Sequence, residues 1–284
     1  MSGGRGGMLW FIRPGRTPPV PAESGRSANR LMSSLPIRCL AFVAFAVTFG
    51  CLAMAPGAAA ASFEEARSAF TEGRFEEAAR IAETLDTSSG QALAARALAI
   101  HAYYVLEEDD DTREPLLLRS IELAKRAVEI DPDNADAHIM LAATLGRHAQ
   151  VISSLEASNR GYAEKIREAA ETALGIDPDL VPALLTLGRW HSELIGVMGS
   201  FLARTLYGAR EEEALAFLER AFELAPESKD VALEYALGLL MLDDDEYRDK
   251  AHDLLILAVG IPSRDAYEAI IHAEAARHLE GLED

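Results

Sequence analysis

Three prolines at nearly equal intervals, Pro132, Pro178 and Pro226, set the architecture of this chain: they lie 46 and 48 residues apart. Around the first two the sequence almost repeats itself, as AVEIDPDNADAHIMLA from Ala127 to Ala142 and ALGIDPDLVPALLTLG from Ala173 to Gly188. Five residues before each proline stands an alanine, Ala127, Ala173 and Ala221; ten residues after the first two stands a small residue, Ala142 and Gly188, preceded by Leu141 and Leu187. After Pro226 the matching Leu237-Gly238 pair comes two residues late. Proline cannot continue a helix, and a small side chain lets two helices cross closely. The pattern therefore describes a recurring helix–turn–helix unit, and units that touch only their neighbours stack into a solenoid.

From Ser62 onward the chain reads as helix throughout. Ala, Leu, Glu and Arg dominate, apolar residues recur at three and four, and no alternating β-rich run appears. Short turns interrupt it: TSSG at 87–90, EEDDDT at 107–112, DPDN at 131–134, DPDL at 177–180, APESKD at 225–230 and LDDDE at 242–246. Each has the Asp, Ser, Gly or Pro chemistry that ends one helix and caps the next. An antiparallel array of about ten helices follows. The stretch SRDAYEAIIHAEAARHLEGLED, 263–284, reads as a final capping helix with Tyr267, Ile270 and Ile271 on its inner face.

The first 61 residues are of another kind. They carry six Arg, no Lys and one Glu, so the formal charge of −19 becomes −24 over residues 62–284. Residues 1–31 are rich in Gly, Pro and Arg without periodicity and are expected to be disordered, and Met32 is a candidate translation start. In 32–61 a basic flank at Arg38, an apolar run from Leu40 to Met54 and small residues up to Ala61 have the order of a secretory signal peptide. The expected location is periplasmic or secreted. A membrane anchor through 40–54, lipidation at Cys51 and an organellar transit peptide are the alternatives. The two cysteines, Cys39 and Cys51, both fall in this segment, so the repeat region has no thiol, disulfide or Cys-ligated metal to stabilise it. Its acidity repels phosphate backbones, which argues against nucleic acid as a partner.

The spacing of Ala127, Ala173 and Ala221 before their prolines, with Gly73, Phe75 and Ala78 in AFTEGRFEEAARIAE, resembles the tetratricopeptide repeat. The intervals of 46 and 48 exceed the usual 34 residues of that repeat. The excess is assigned to lengthened first helices and to VMGSFLARTLYGA at 197–209. This long form, with LGRW at 187–190, ARTLYG at 203–208 and EEALAFLERAFELAP at 212–226, is similar to the regulator of microtubule dynamics family over 123–242. The resemblance implies an all-α, right-handed α-solenoid of about five antiparallel helix pairs plus the capping helix, spanning 62–284. It also implies a non-catalytic adaptor, in a family some of whose members are linked to phospholipid binding.

No P-loop, Gly-x-Gly-x-x-Gly, His-Glu-x-x-His or Gly-x-Ser-x-Gly motif is present. His272 and His278 are six apart and do not share a helical face, and His101, His138, His148, His191 and His252 stand singly, as hydrogen-bonded core or groove residues do. The consecutive acids at 109–111 and 243–245 lack the alternation of a calcium loop and read as helix caps. No cofactor or metal is expected, and no enzymatic activity.

In the tetratricopeptide pattern the first helix of each unit faces a concave groove. Its groove positions fall here on Asp136, Ile139, Ala143 and Arg147 in one unit and on Pro182, Leu185, Arg189 and Glu193 in the next. Arg147 and Arg189 on adjacent rungs suit a carboxylate clamp, whereas Arg189 paired with Glu193 one turn on is the plainer reading. The leading expectation is an exported adaptor holding a peptide or protein segment in this groove. The alternative is a lipid or small-molecule carrier with an apolar pocket among the long helices, near Trp190, Phe201 and Tyr207; Tyr103 and Tyr104 are further aromatics for such a pocket or for the core.

Overall fold

A computed structural model describes residues 62–106 and 110–283. The expectations for 1–31 and 32–61 lie outside the described residues. Among those described the chain is all helical: α1 (Phe63–Thr71), α2 (Phe75–Glu83), α3 (Ser88–Ile100), α4 (Asp110–Ile130), α5 (Ala135–Ala149), α6 (Ser154–Asn159), α7 (Tyr162–Ile176), α8 (Val181–Met198), α9 (Ser200–Tyr207), α10 (Glu211–Leu224), α11 (Lys229–Leu242), α12 (Asp244–Gly260) and α13 (Ala266–Glu283). A π-helical turn, His101–Val105, extends α3.

The three proline joints are the same structure three times. The last helical bond runs from Asp131 N–H to Ala127 O, from Asp177 N–H to Ala173 O and from Ala225 N–H to Ala221 O, at 3.2, 2.8 and 3.1 Å. The turn around each proline is then closed by Asn134, Leu180 and Ser228 N–H donating to Asp131, Asp177 and Ala225 O. Ala127, Ala173 and Ala221 are each fully buried, as close crossings require. Caps follow from the turn chemistry: Thr87 Oγ1 accepts from Gly90 N–H, Asn134 Oδ1 from Asp136 N–H, Ser228 Oγ from Val231 N–H and Asp243 Oδ1 from Asp245 N–H. Ser88–Gly90, expected in a turn, instead forms the first turn of α3 with Thr87 as its cap.

Five antiparallel pairs result, α1/α2, α3/α4, α5/α7, α8/α10 and α11/α12, each packed on the next, with α13 as the additional C-terminal helix. The chain is thus an α-solenoid of helix pairs. The source of the long period differs in part from the sequence expectation. In the third pair the extra residues form a separate short helix, α6, rather than a longer first helix; in the fourth they form α9 after an 18-residue α8. Both inserts sit between the two helices of a pair and pack on one core cluster through Ala157, Ala203 and Ala209. Gly199 (φ 79°) and Gly208 (φ 77°) bracket α9 in the left-handed region, where a glycine turns the chain without the strain of a Cβ.

The C-terminal helix does more than cover the last pair. It packs on α12 and α11 and also reaches α1 and α3 at the far end of the array. Tyr267 lies against Phe70 with ring centroids 6.3 Å apart, and Ile270 packs in the cluster built by α1 to α3. Lys229, buried at the start of α11, fixes the approach to α13 by donating to Ser263 Oγ.

Candidate ligand-binding chamber

The first helices of the second to fifth pairs, α3, α5, α8 and α11, line the concave side of the solenoid, and α13 lies across it. Between them is a cavity of about 620 Å³. Its apolar wall includes Leu93, Ile139, Met140, Leu185, Trp190 and Leu237. The exposed residues Arg96, Asp136, Ala143 and Pro182 mark its solvent-open side.

Six residues placed in the groove from sequence, Asp136, Ile139, Arg147, Leu185, Arg189 and Glu193, all border this chamber. Trp190 borders it too, but as a core residue whose Nε1–H donates to Ala163 O at 2.8 Å. Phe201 and Tyr207 do not border it. They lie on α9, where Phe201 is 80% exposed and Tyr207 O accepts from Arg167 Nη1.

The two arginines on adjacent rungs have different roles. Arg189 is buried, and its Nη2 donates to Glu193 Oε1 at 2.6 Å while Nη1 lies 3.3 Å from Glu234 Oε2 on the next rung. Arg189 is thus the centre of an internal ion-pair triad. Burial opposes its charge, and the two carboxylates more than offset that, raising its pKa. Arg147 is held by aromatic faces instead, its guanidinium carbon 4.6 Å from the ring centroids of both Tyr103 and Tyr104. Both tyrosines lie in the π-helical turn that extends α3. Arg96, one rung earlier, is placed likewise, 5.0 Å from the Phe70 centroid and 4.9 Å from that of Tyr267. Among the described residues no carboxylate lies within 4.0 Å of Arg96 or Arg147.

The acidic wall belongs to α8, α11 and α13. Glu193 is 1% exposed; its Oε1 accepts from Arg189, whereas its Oε2 is buried and meets no donor among the described residues. Burial, reinforced by Glu234 and opposed by Arg189, pushes the Glu193 carboxyl up to about 7. Burial and Glu234 likewise push Asp230 up to about 6, against Arg96 and the hydrogen bond from Tyr267. Glu274 of α13 accepts from Tyr104 OH at 2.9 Å, and burial holds His278 down at about 4, hence neutral. Groove positions counted in two units did not extend to Arg96 of α3 or to Asp230 and Glu234 of α11, and Glu274 and His278 were not placed at the groove because α13 was expected to cap the last repeat.

A pH dependence follows from these shifts. Both carboxyls titrate higher in the folded chain than their ordinary values of 4.5 and 3.8. Between about pH 4 and pH 7 the unfolded state therefore binds fewer protons at these sites, and their effect is to lower stability as pH rises, levelling off above the folded values. One such proton contributes a slope of up to about 1.4 kcal/mol per pH unit. Urea unfolding from pH 5 to 8 should show a smaller slope in Glu193→Gln than in the parent; equal slopes would contradict the assignment.

The remaining histidines do not cluster among the described residues. His148 is buried between Tyr162 OH and Glu114, and His191 Nδ1 accepts from Arg210 N–H. Among the described residues no group of His, Cys, Asp or Glu could hold a metal ion, and no helix is long and apolar enough to cross a membrane.

The geometry agrees with what the chain resembles. A thermophilic TPR protein of Thermus thermophilus superposes with a TM-score of 0.52 at 17% identity, over 75% of this chain and 96% of that one. The C-terminal part of a TPR repeat-containing protein from Cytophaga hutchinsonii aligns over 74% of this chain and 99% of that one, with 12% identity and a TM-score of 0.26, too low to add to the argument. No curated protein matches. The family model described as Regulator of microtubule dynamics protein 1-3 matches residues 62–283, nearly the whole helical array. The chain belongs to the regulator of microtubule dynamics family, built on a tetratricopeptide-like solenoid.

Proposed function

We propose that this protein is a non-catalytic binding module that takes a short peptide into the central chamber, rather than an extended protein segment along an open groove. The observation that carries the reading is the position of α13. Its Tyr267 and Glu274 bond to groups on α11 and on the turn after α3, so the chain's own helix lies where an open tetratricopeptide groove would hold its ligand. What remains accessible is the chamber of about 620 Å³, within the ~300–1,000 Å³ range of small-ligand sites. Export through the 32–61 signal would place the activity in the periplasm or outside the cell.

A photo-crosslinker in place of Ala143, which is exposed to the chamber, tests this against one in place of Phe201 on the outer surface. Peptide adducts at 143 and none at 201 are expected; adducts at 201 alone would overturn the reading. The apolar wall favours a second reading, a carrier of a lipid or another small molecule. Native mass spectrometry of residues 62–284 purified without detergent would show such a molecule as a retained mass.

A further inference from the structure

The chamber is polarised along the solenoid. Its first two rungs present guanidinium groups, Arg96 on α3 and Arg147 on α5, without a carboxylate within ion-pair distance among the described residues; the acid on these rungs, Asp136, is exposed at the solvent-open side. Each lies over aromatic rings rather than against a carboxylate, and a guanidinium with five N–H donors can still donate to a planar carboxylate. Its last two rungs present acids, Glu193 on α8 and Glu234 on α11, which among the described residues share one ion-pair partner, Arg189. One arginine between two carboxylates leaves an excess negative charge, and Glu193 Oε2, like Gln150 Oε1 on the chamber wall, is a buried acceptor that meets no donor among the described residues. Burying such an acceptor without a partner is unfavourable, so a ligand that supplies the donor is favoured there.

Resting on the reading above, we infer that the chamber binds an amphoteric molecule of the short-peptide class with both ends free, its carboxylate on Arg147 and Arg96 and its ammonium on Glu193 and Glu234. A ligand of net charge near zero fits the walls. A phosphate dianion would face Glu193, Asp230, Glu234 and Glu274, and a purely cationic amine would leave the two aromatic-held guanidinium groups without an anion.

The probes are tripeptides Ala-X-Ala with all twenty residues at X, offered to residues 62–284 as three pools: free at both ends, N-acetylated and C-amidated. Retention is read by native mass spectrometry near pH 7.5. Members of the free pool are expected to be retained, and either cap should weaken retention at least tenfold. In Arg147→Gln the C-amidated pool should fare no worse than the free one, while N-acetylation still weakens retention. In Glu193→Gln the reverse should hold. These selectivities are compared within each variant, so a general loss of stability cannot mimic them. Capped pools retained like the free one, or no tripeptide retained at all, overturn the inference. If crosslinking through position 143 still captures peptide in that event, the chamber reading stands and only the end-group chemistry fails; if it captures none, both fail.

Discussion

Replacing Arg189 with Ala is expected to destabilise the fold by about 3–5 kcal/mol at pH 7.5, the cost of leaving a buried charge without its partner. Glu193 is the reason: it is 1% exposed, and its one hydrogen bond comes from Arg189. Glu234 loses the same cation. Across an array of this size that energy corresponds to a fall in Tm of roughly 10 °C. The deficit should shrink toward pH 5, because without Arg189 the Glu193 carboxyl is driven further up and escapes the penalty by binding a proton. Arg147→Ala, which removes aromatic stacking and no ion pair, should cost less, about 1–2 kcal/mol. Thermal melts of both variants at pH 5 and 7.5 check the account. Equal losses, or a deficit in Arg189→Ala that does not change with pH, would contradict the triad.

The second large effect is expected at Leu218. This residue of α10 is fully buried between Gly188 of α8 and Gly238 of α11. A Cβ at Gly188 would stand 2.6 Å from Leu218 Cγ, and a Cβ at Gly238 would stand 2.6 Å from Leu218 Cδ1. Alanine at either glycine should therefore cost about 1–3 kcal/mol through overpacking, even after the roughly 1 kcal/mol that Ala gains over Gly in helix propensity. Leu218→Ala leaves a cavity and should cost about 2–5 kcal/mol. The informative variant combines Gly188→Ala with Leu218→Ala: the smaller side chain vacates the space the new methyl needs. Urea unfolding should find the double variant more stable than the sum of the singles by more than about 1 kcal/mol, and strict additivity would show that Gly188 and Leu218 do not share one crossing.

The repeat joints were legible because everything that makes them is local. A helix ends at Asp-Pro or Ala-Pro, a small residue sits five positions earlier, and a polar residue caps the next helix, all within about one turn of each proline. Gly188 and Gly238 were legible for the same reason, and the two-residue offset of Gly238 did not prevent both from meeting Leu218. The inserts were harder to see. SLEASN, which becomes α6, is too short to show a helical period, and its small residues pack through neighbours on α7 and α9.

The chamber divides in the same way. Groove positions counted from the repeat pattern located Arg147, Arg189 and Glu193, since register along one helix fixes which side chains share a face. The pattern could not say which of the two arginines had partners, because Glu234 comes from the next rung and Tyr103 and Tyr104 lie in a π-helical turn with no evident sequence signal. Least visible was α13. Its apolar positions identified it as a packed helix, but the contacts that carry it back to the start of the array join residues distant in the chain, such as Tyr104 and Glu274, 170 positions apart.

The closure of the groove by α13 is the claim on which the chamber, its polarity and its ligand all depend. A double-mutant cycle on the Tyr104–Glu274 hydrogen bond, using Tyr104→Phe and Glu274→Ala, tests it most directly, because in an open solenoid these side chains never meet. The account predicts a coupling free energy of about 1 kcal/mol between the two substitutions in urea unfolding; additivity within about 0.3 kcal/mol would mean that α13 does not lie across the concave face.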